Sequence, residues 1–289
     1  MRTISLFILF SLLSGIYFYT PAHAQSDTTK KALEDVKESV TTLINAKDEE
    51  NPNDIAFRIE TFKKVIDFSI AETKDLKIKL FDIDSKKVGT STIEWKNRMM
   101  KNLDDALEYY DSEKNFIKEN EASLTLPEIK TKAESFKEWR EKEYTPTADE
   151  INDYFLIEQQ KQALDITKKR AEKIRVDIEK LKKARIKTAE LEKMFSKTEV
   201  LLKDAQELND KAVLLFSTTK ILQLPESKDE KILMNATEEA TSTATSTVTD
   251  EVEKNPQLSI KDLVKESFTK VKNIYQIFID MSNVVRKLL

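Results

Sequence analysis

Glycine is almost absent from this chain, and that scarcity limits the folds open to it. Only Gly15 and Gly89 occur in 289 residues. Sheets and barrels use glycine at tight hairpin turns and bulges, where the backbone needs a positive φ. We therefore expect a fold built from helices. The high share of charged residues, 35% of the chain, is typical of long helices with solvent-exposed faces.

The first 24 residues have the parts of a secretory signal. Arg2 supplies a positive charge, residues 4–19 form an apolar stretch, and Ala22-His23-Ala24 is a small-x-small cleavage site. The alternative is an uncleaved membrane anchor. An apolar helix of this length spans only about 24 Å, which is short for a bilayer core of ~30 Å. The sequence therefore predicts cleavage after Ala24 and a secreted, periplasmic or cell-surface protein.

Beyond residue 24 the chain has no histidine and no cysteine. Ser-His-Asp and Cys-His catalysis need an imidazole base, and structural zinc sites need Cys or His ligands. Gly89 alone cannot supply a phosphate-binding loop or a nucleophile elbow. Hydrolysis by a carboxylate pair needs no histidine, but we interpret Asp104-Asp105 and Asp149-Glu150 as helix-surface and helix-start charges. We predict a non-catalytic protein with no catalytic, cofactor-binding or metal-binding residues.

Prolines and capping boxes indicate where helices begin. We expect each of the five prolines after residue 24 to lie at a helix boundary, because proline disrupts a helix interior. The first helix is predicted over 27–47. The later starts are an N-cap at Asn53, and the boxes Ser91-x-x-Glu94, Thr125-x-x-Glu128, Thr147-x-x-Glu150 and Ser259-x-x-Asp262.

Residues 147–224 contain neither glycine nor proline. Apolar residues recur every three or four positions through this stretch, the rhythm of a coiled-coil seam. The pattern predicts one long helix, or two helices end to end, rather than a tight turn near Lys187. The predicted fold class is all-α, an elongated antiparallel helical bundle with long coiled-coil-like helices.

Composition divides the chain into four parts. After the signal (1–24), residues 25–222 form a helical body. Residues 223–257 are rich in Thr and Ser and carry eight acids against three lysines, which is typical of a flexible linker. Residues 258–289 form an amphipathic helix. We expect this helix to pack back on the body, because so large an apolar face is not left in water.

Two surfaces are candidates for binding. The stretch 161–190 holds eleven basic and five acidic residues, which could contact an anionic membrane or polymer, although such charge alternation is typical of a solvated helix face. The aromatic residues could form a recognition patch, although we favour their packing between helices. They are Trp95, Trp139, Tyr109, Tyr110, Tyr144 and Tyr154.

The leading hypothesis is an exported structural or protein-interaction protein of the cell envelope or exterior. It would bind a protein partner or itself, and nucleic acid is not an expected partner. The alternative is a membrane-surface or anionic-polymer binding module, which would use the basic stretch 161–190 or the C-terminal amphipathic helix.

Overall fold

The structure, a computed structural model, describes residues 26–48, 54–221 and 258–288, and these ranges contain helices and no strand. The predicted signal, the N-cap at Asn53 and the predicted linker lie outside these ranges. The all-α helical bundle is confirmed. Its elements are α1 (Asp27–Asp48), α2 (Asp54–Phe81), α3 (Thr90–Asn120), α4 (Leu126–Trp139), a π-helical segment (Arg140–Tyr144), α5 (Thr145–Lys183), α6 (Ala189–Phe216), a second π-helical segment (Ser217–Ile221) and α7 (Ile260–Leu288).

The chain divides into two compact units, Met1–Asn152 (unit 1) and Asp153–Leu289 (unit 2). The division falls within the segment 25–222 that composition treats as one body. Helix α5 runs through the boundary without a break, so no proline, glycine or change of composition marks it in the sequence.

Unit 1 is an antiparallel bundle of α1 to α4 and the first turns of α5. Neighbouring helices run antiparallel, because residues later in one helix contact residues earlier in the next. The contacts that show this are Thr29–Ala71 and Ser39–Thr61 between α1 and α2, Lys63–Glu121 and Asp67–Lys114 between α2 and α3, and Glu113–Lys132 and Trp95–Glu150 between α3 and the α4–α5 stretch. The largest side chains of its core are Phe68, Trp95, Tyr110 and Phe136, all without exposed surface.

Helix α4, the π-helical segment and α5 are continuous, which corrects two predictions. Pro146 does not lie at a helix boundary, and Thr147 does not open a helix. The π-helical segment explains the tolerance: Thr145 donates its N–H to the Arg140 carbonyl, and this wider turn accommodates the ring and the missing N–H that proline brings into a helix. The Thr147 hydroxyl donates to the Glu143 carbonyl at 3.4 Å, so it bonds to the preceding turn.

Unit 2 is a three-helix bundle of the remainder of α5 with α6 and α7. The expectation of one long helix or two end-to-end helices is wrong, because α5 ends at Lys183 and α6 returns alongside it from Ala189. The turn closes with two bonds of the Schellman type, Ile186 N–H to the Leu181 carbonyl (3.1 Å) and Arg185 N–H to the Lys182 carbonyl (3.0 Å). Arg185 takes the left-handed conformation, with φ of 59°. Glycine or asparagine usually occupies this position, so the sequence carries no signal of the turn.

Helix α7 packs antiparallel to α6 along its apolar face. Its residues Leu263, Val264, Val271, Ile274 and Phe278 are buried. A polar layer crosses this core: Gln160 Nε2 donates to Ser267 Oγ (2.5 Å), and Ser267 Oγ donates to the Ala205 carbonyl (2.7 Å). Gln160 Oε1 is buried and has no hydrogen-bond partner among the described residues, so the layer is only partly satisfied. The two bonds that it does form favour one register of the three helices over others.

Some of the predicted capping boxes form in the structure and others do not. Thr125 and Glu128 form the full reciprocal box at the start of α4, and Ser259 with Asp262 does so at the start of α7. The box predicted at Ser91 is wrong, because α3 begins at Thr90 with Gly89 as its N-cap and no side-chain cap. The helix therefore starts two positions earlier than the box requires, with the Gly89 carbonyl accepting its first bonds.

Candidate functional site

Unit 2 carries an open groove of about 770 Å³ between α5 and α7. The groove exists because α5 and α7 each run antiparallel to α6, so they lie parallel to each other on either side of it. Its floor is formed by the buried side chains Ile178, Leu191, Phe278 and Met281. The walls are apolar as well, formed by Ile174, Leu181, Tyr275, Ile279 and Val285.

Part of this apolar lining is open to solvent. Ile279 is 55% exposed, and Ile174, Leu181, Tyr275 and Val285 are half-buried against the core beneath them. A concave apolar surface with exposed aliphatic side chains is typical of a binding site, since a helix in a soluble protein ordinarily covers its apolar stripe.

Charged groups lie at the edges of the groove rather than on its floor. The Arg170 guanidinium lies over the Tyr275 ring, 5.3 Å from its centroid, and so joins the two walls at one end. Lys180 and Asp177 form an exposed ion pair of 2.9 Å along the α5 edge. The groove thus combines an apolar interior with ionic edges, as surfaces that bind amphipathic helices do.

The sequence pattern identified the apolar residues of this groove but did not predict that they lie side by side. Ile174, Ile178 and Leu181 belong to one helical stripe, and Tyr275 and Phe278 to another. Only the turn at 184–188 brings α5 back over α6 and leaves α5 and α7 side by side. Because the sequence did not predict that turn, the apolar pattern of each helix alone could not show that α5 and α7 are neighbours.

The basic stretch 161–190 follows α5, passes through the turn and enters α6. Its charged side chains are exposed, and some form local ion pairs, among them Arg175–Glu172 (2.7 Å) and Lys182–Glu192 (3.0 Å). The Lys182 ammonium, followed by the Thr188 hydroxyl, holds the pKa of Glu192 below its usual value. These contacts are those of a solvated helix face.

The six aromatic candidates do not form a single patch. Trp95, Tyr110 and Tyr144 are buried in the core of unit 1. The Trp95 indole donates to Glu150 Oε1 at 2.7 Å, so Glu150 is a partner within a helix rather than a helix-start charge, and that interpretation was wrong. Tyr154 belongs to unit 2, where its ring contacts Phe216.

Tyr109 and Trp139 are the aromatic pair that reaches the surface of unit 1. Their rings stack with centroids 3.9 Å apart and line a cleft of about 550 Å³ with the carboxylates of Asp105, Glu108 and Glu143. Burial, and then the charge of Glu113, raises the pKa of Tyr109 to about 12, so its hydroxyl stays protonated at neutral pH.

Arg140 joins the π-helical segment to α2 inside unit 1. Its guanidinium donates to Ser69 and to Glu72 Oε2 (2.9 Å) and lies 4.7 Å from the Tyr144 ring centroid. Burial opposes the charge of Arg140, but Tyr110, Glu72 and Tyr144 hold its pKa above the ordinary value. Burial raises the pKa of both tyrosines. At neutral pH the phenols are protonated and the guanidinium is charged, so this cluster supports packing and offers no base or nucleophile.

The described ranges lack two further classes of site. Residues 26–48, 54–221 and 258–288 contain no group of three or more acidic, His or Cys side chains arranged to hold a metal ion. Within the same ranges, each helix is either too short or too polar to cross a bilayer.

The chain matches no protein-family model, and comparisons with curated proteins and with solved structures find no match. Its function is therefore inferred from the groove of unit 2, the charges around that groove and the sequence features described above.

Proposed function

We propose that the protein is an exported, non-catalytic helical protein that binds another protein in the cell envelope or outside the cell. The groove between α5 and α7 carries this proposal, because it is an apolar concave surface of about 770 Å³ with ionic edges and exposed Ile279. A surface of this kind fits an amphipathic segment of a partner.

Sequence features support export and the lack of catalysis. Residues 1–24 have the charge, apolar stretch and cleavage site of a secretory signal. The absence of histidine and cysteine after residue 24 removes the usual general bases, nucleophiles and zinc ligands. The three- and four-residue apolar spacing from 147 onward is a coiled-coil feature.

Crosslinking in the native host tests the proposal. The protein would be recovered from separated cytoplasm, envelope and medium, and its crosslinked peptides and N-terminus identified by mass spectrometry. We expect an N-terminus at Gln25, recovery outside the cytoplasm and a reproducible link to one foreign protein. Recovery from the cytoplasm with residues 1–24 intact would overturn export. Links to no other protein would overturn the binding function.

A second candidate is attachment to an anionic membrane surface or polymer through the basic stretch 161–190. The exposure of its lysines and arginines along α5 favours this stretch, whereas most of the apolar face of α7 is buried against α6. Sedimentation with vesicles containing phosphatidylglycerol separates the two candidates. Binding that falls steeply as salt rises would support the second candidate, and no binding at low salt would reject it.

A further inference from the structure

We infer that the groove of unit 2 binds one acidic amphipathic helix of the partner protein, antiparallel to α5 and α7. This inference rests on the proposed function and names the chemistry of the partner. A fourth helix in the groove would turn the three-helix bundle into a four-helix bundle and cover the apolar walls that solvent now reaches.

The dimensions of the groove fit a helix. Its α5 wall extends from Arg170 to Ala184, which is about 21 Å at ~1.5 Å per residue. That length matches about four turns of a partner helix, enough for an apolar stripe of four or five side chains. Since α5 and α7 are parallel to each other, a helix antiparallel to both places its dipole favourably against each neighbour.

Basic residues repeat along both edges of the groove. On α5, Lys173 lies one heptad before Lys180, which lines the groove and is paired with Asp177, so the two lysines share a helix face. On α7, Lys272 and Arg286 lie one heptad to either side of Ile279. Lys173, Lys272 and Arg286 are exposed and form no ion pair with another described residue.

Within unit 2 both helices carry a net positive charge. The α5 residues 153–183 include nine basic and six acidic side chains, and the α7 residues 260–288 include six basic and three acidic ones. Acidic side chains flanking the apolar stripe of a partner helix would therefore meet cations on both sides.

Charge and spacing also select the partner helix over other occupants. A second copy of this chain docked groove to groove would bring two basic edges together, which like-charge repulsion opposes. An anionic lipid concentrates its charge in one headgroup. The cations here instead stand apart along the groove, with Lys173 and Lys180 about 10 Å apart on α5 and Lys272 and Arg286 about 21 Å apart on α7. That spread matches the length of a helix and not a single headgroup.

A photo-crosslinking residue in the groove tests the inference. Benzoylphenylalanine would replace Ile279, which is 55% exposed, and in a matched control Val200 of α6, which is 60% exposed. Both variants of the full chain would be irradiated in the native host, and the adduct peptides sequenced. We expect a protein adduct at 279 and not at 200, mapped to a partner segment of at least three helical turns with net negative charge.

The other outcomes each have a meaning. An adduct at 279 to a basic or non-helical segment, to lipid, or to this chain itself overturns the inference. A protein partner captured by whole-surface crosslinking but not from 279 overturns the inference and leaves the proposed function standing. Absence of any protein partner in both experiments overturns both.

Charge reversal provides a second and independent readout. In the benzoylphenylalanine-279 protein, Lys173→Glu with Lys180→Glu should lower the adduct yield about fivefold or more, since two edge cations become repulsive. The matched pair Lys197→Glu and Lys203→Glu on α6 should change it less than about twofold, since rim charges outside a contact contribute little. Equal effects of the two pairs would overturn the role of the basic edges.

Discussion

At the scale of single residues, the contribution of Arg140 to stability comes from its enclosed surroundings, which its position in the sequence does not reveal. The sequence presents it as one charge among many on a helical face. In the structure it is largely enclosed, with its side chain 14% exposed and that of its partner Glu72 18% exposed. Burying such an ion pair costs desolvation free energy, and removing one partner destabilises the fold further because the other charge is left without a counter-ion.

Replacing Arg140 should destabilise unit 1. Arg140→Met keeps an unbranched apolar stem but leaves the largely enclosed Glu72 without its partner, so the free energy of unfolding should fall by about 3 kcal/mol. Urea unfolding followed by tryptophan fluorescence reports on unit 1, because Trp95 and Trp139 are the two tryptophans of the chain and both belong to it.

A surface pair in the same unit serves as the control. Lys114 and Asp67 also link two helices, at 2.7 Å, but are about half exposed, so Lys114→Met should cost less than about 0.5 kcal/mol. Adding Glu72→Met to Arg140→Met should restore part of the loss. Similar losses for the Arg140 and Lys114 variants would contradict the account of the buried pair.

At the scale of helices and turns, the sequence predicted where helices begin better than it predicted the turns between them. Thr125 and Ser259 begin helices because their hydroxyls cap the free N–H groups of the first turn, a local interaction that a short motif specifies. The turn after Lys183 depends on Arg185 holding a conformation that arginine disfavours. The two Schellman bonds close the turn around that conformation, and no sequence motif specifies it.

The turn leads to a prediction about Arg185. Arg185→Gly removes the cost of a left-handed arginine, which is about 1 kcal/mol, at some expense in unfolded-chain entropy. We expect a net gain of about 0.5 kcal/mol in the free energy of unfolding, measured by urea unfolding with far-UV circular dichroism. Arg175→Gly, within α5, should instead lose about 1 kcal/mol. A loss at position 185 would contradict the turn geometry.

The cap of α7 should make its stability depend on acid pH. Hydrogen bonds from the side chain and then the backbone of Ser259 hold the pKa of Asp262 below its usual value of 3.8. A depressed pKa in the folded state stabilises the protein above the usual value, and the contribution is lost as pH falls through the folded pKa. Asp262→Asn should therefore be less stable than the native chain at pH 6 and closer to it at pH 3.

Urea unfolding at the two pH values measures this difference. Ser259→Ala should give a similar pattern, because it removes the hydroxyl that donates to Asp262 Oδ2 at 2.6 Å. A stability difference for Asp262→Asn that is the same at pH 3 and pH 6 would show that the carboxylate does not contribute through its charge.

At the scale of the whole molecule, the sequence predicted the fold class but not the site. Sparse glycine and periodic apolar residues were enough to predict an all-α bundle. The groove requires two facts that are not local: α5 must turn back at 184–188, and α7 must settle on α6 beside it. The apolar residues of α5 and α7, which the sequence pattern assigned to the core, therefore form a partly open surface between two parallel helices.

Amide hydrogen exchange of the native protein, free and bound to the partner recovered by crosslinking, tests the central claim most directly. The account predicts that binding slows exchange in residues 170–184 of α5 and 275–285 of α7, where the groove lies, and leaves α1 to α3 unchanged. Slowed exchange confined to α1 to α3, or none in either groove helix, would contradict the claim that unit 2 binds the partner.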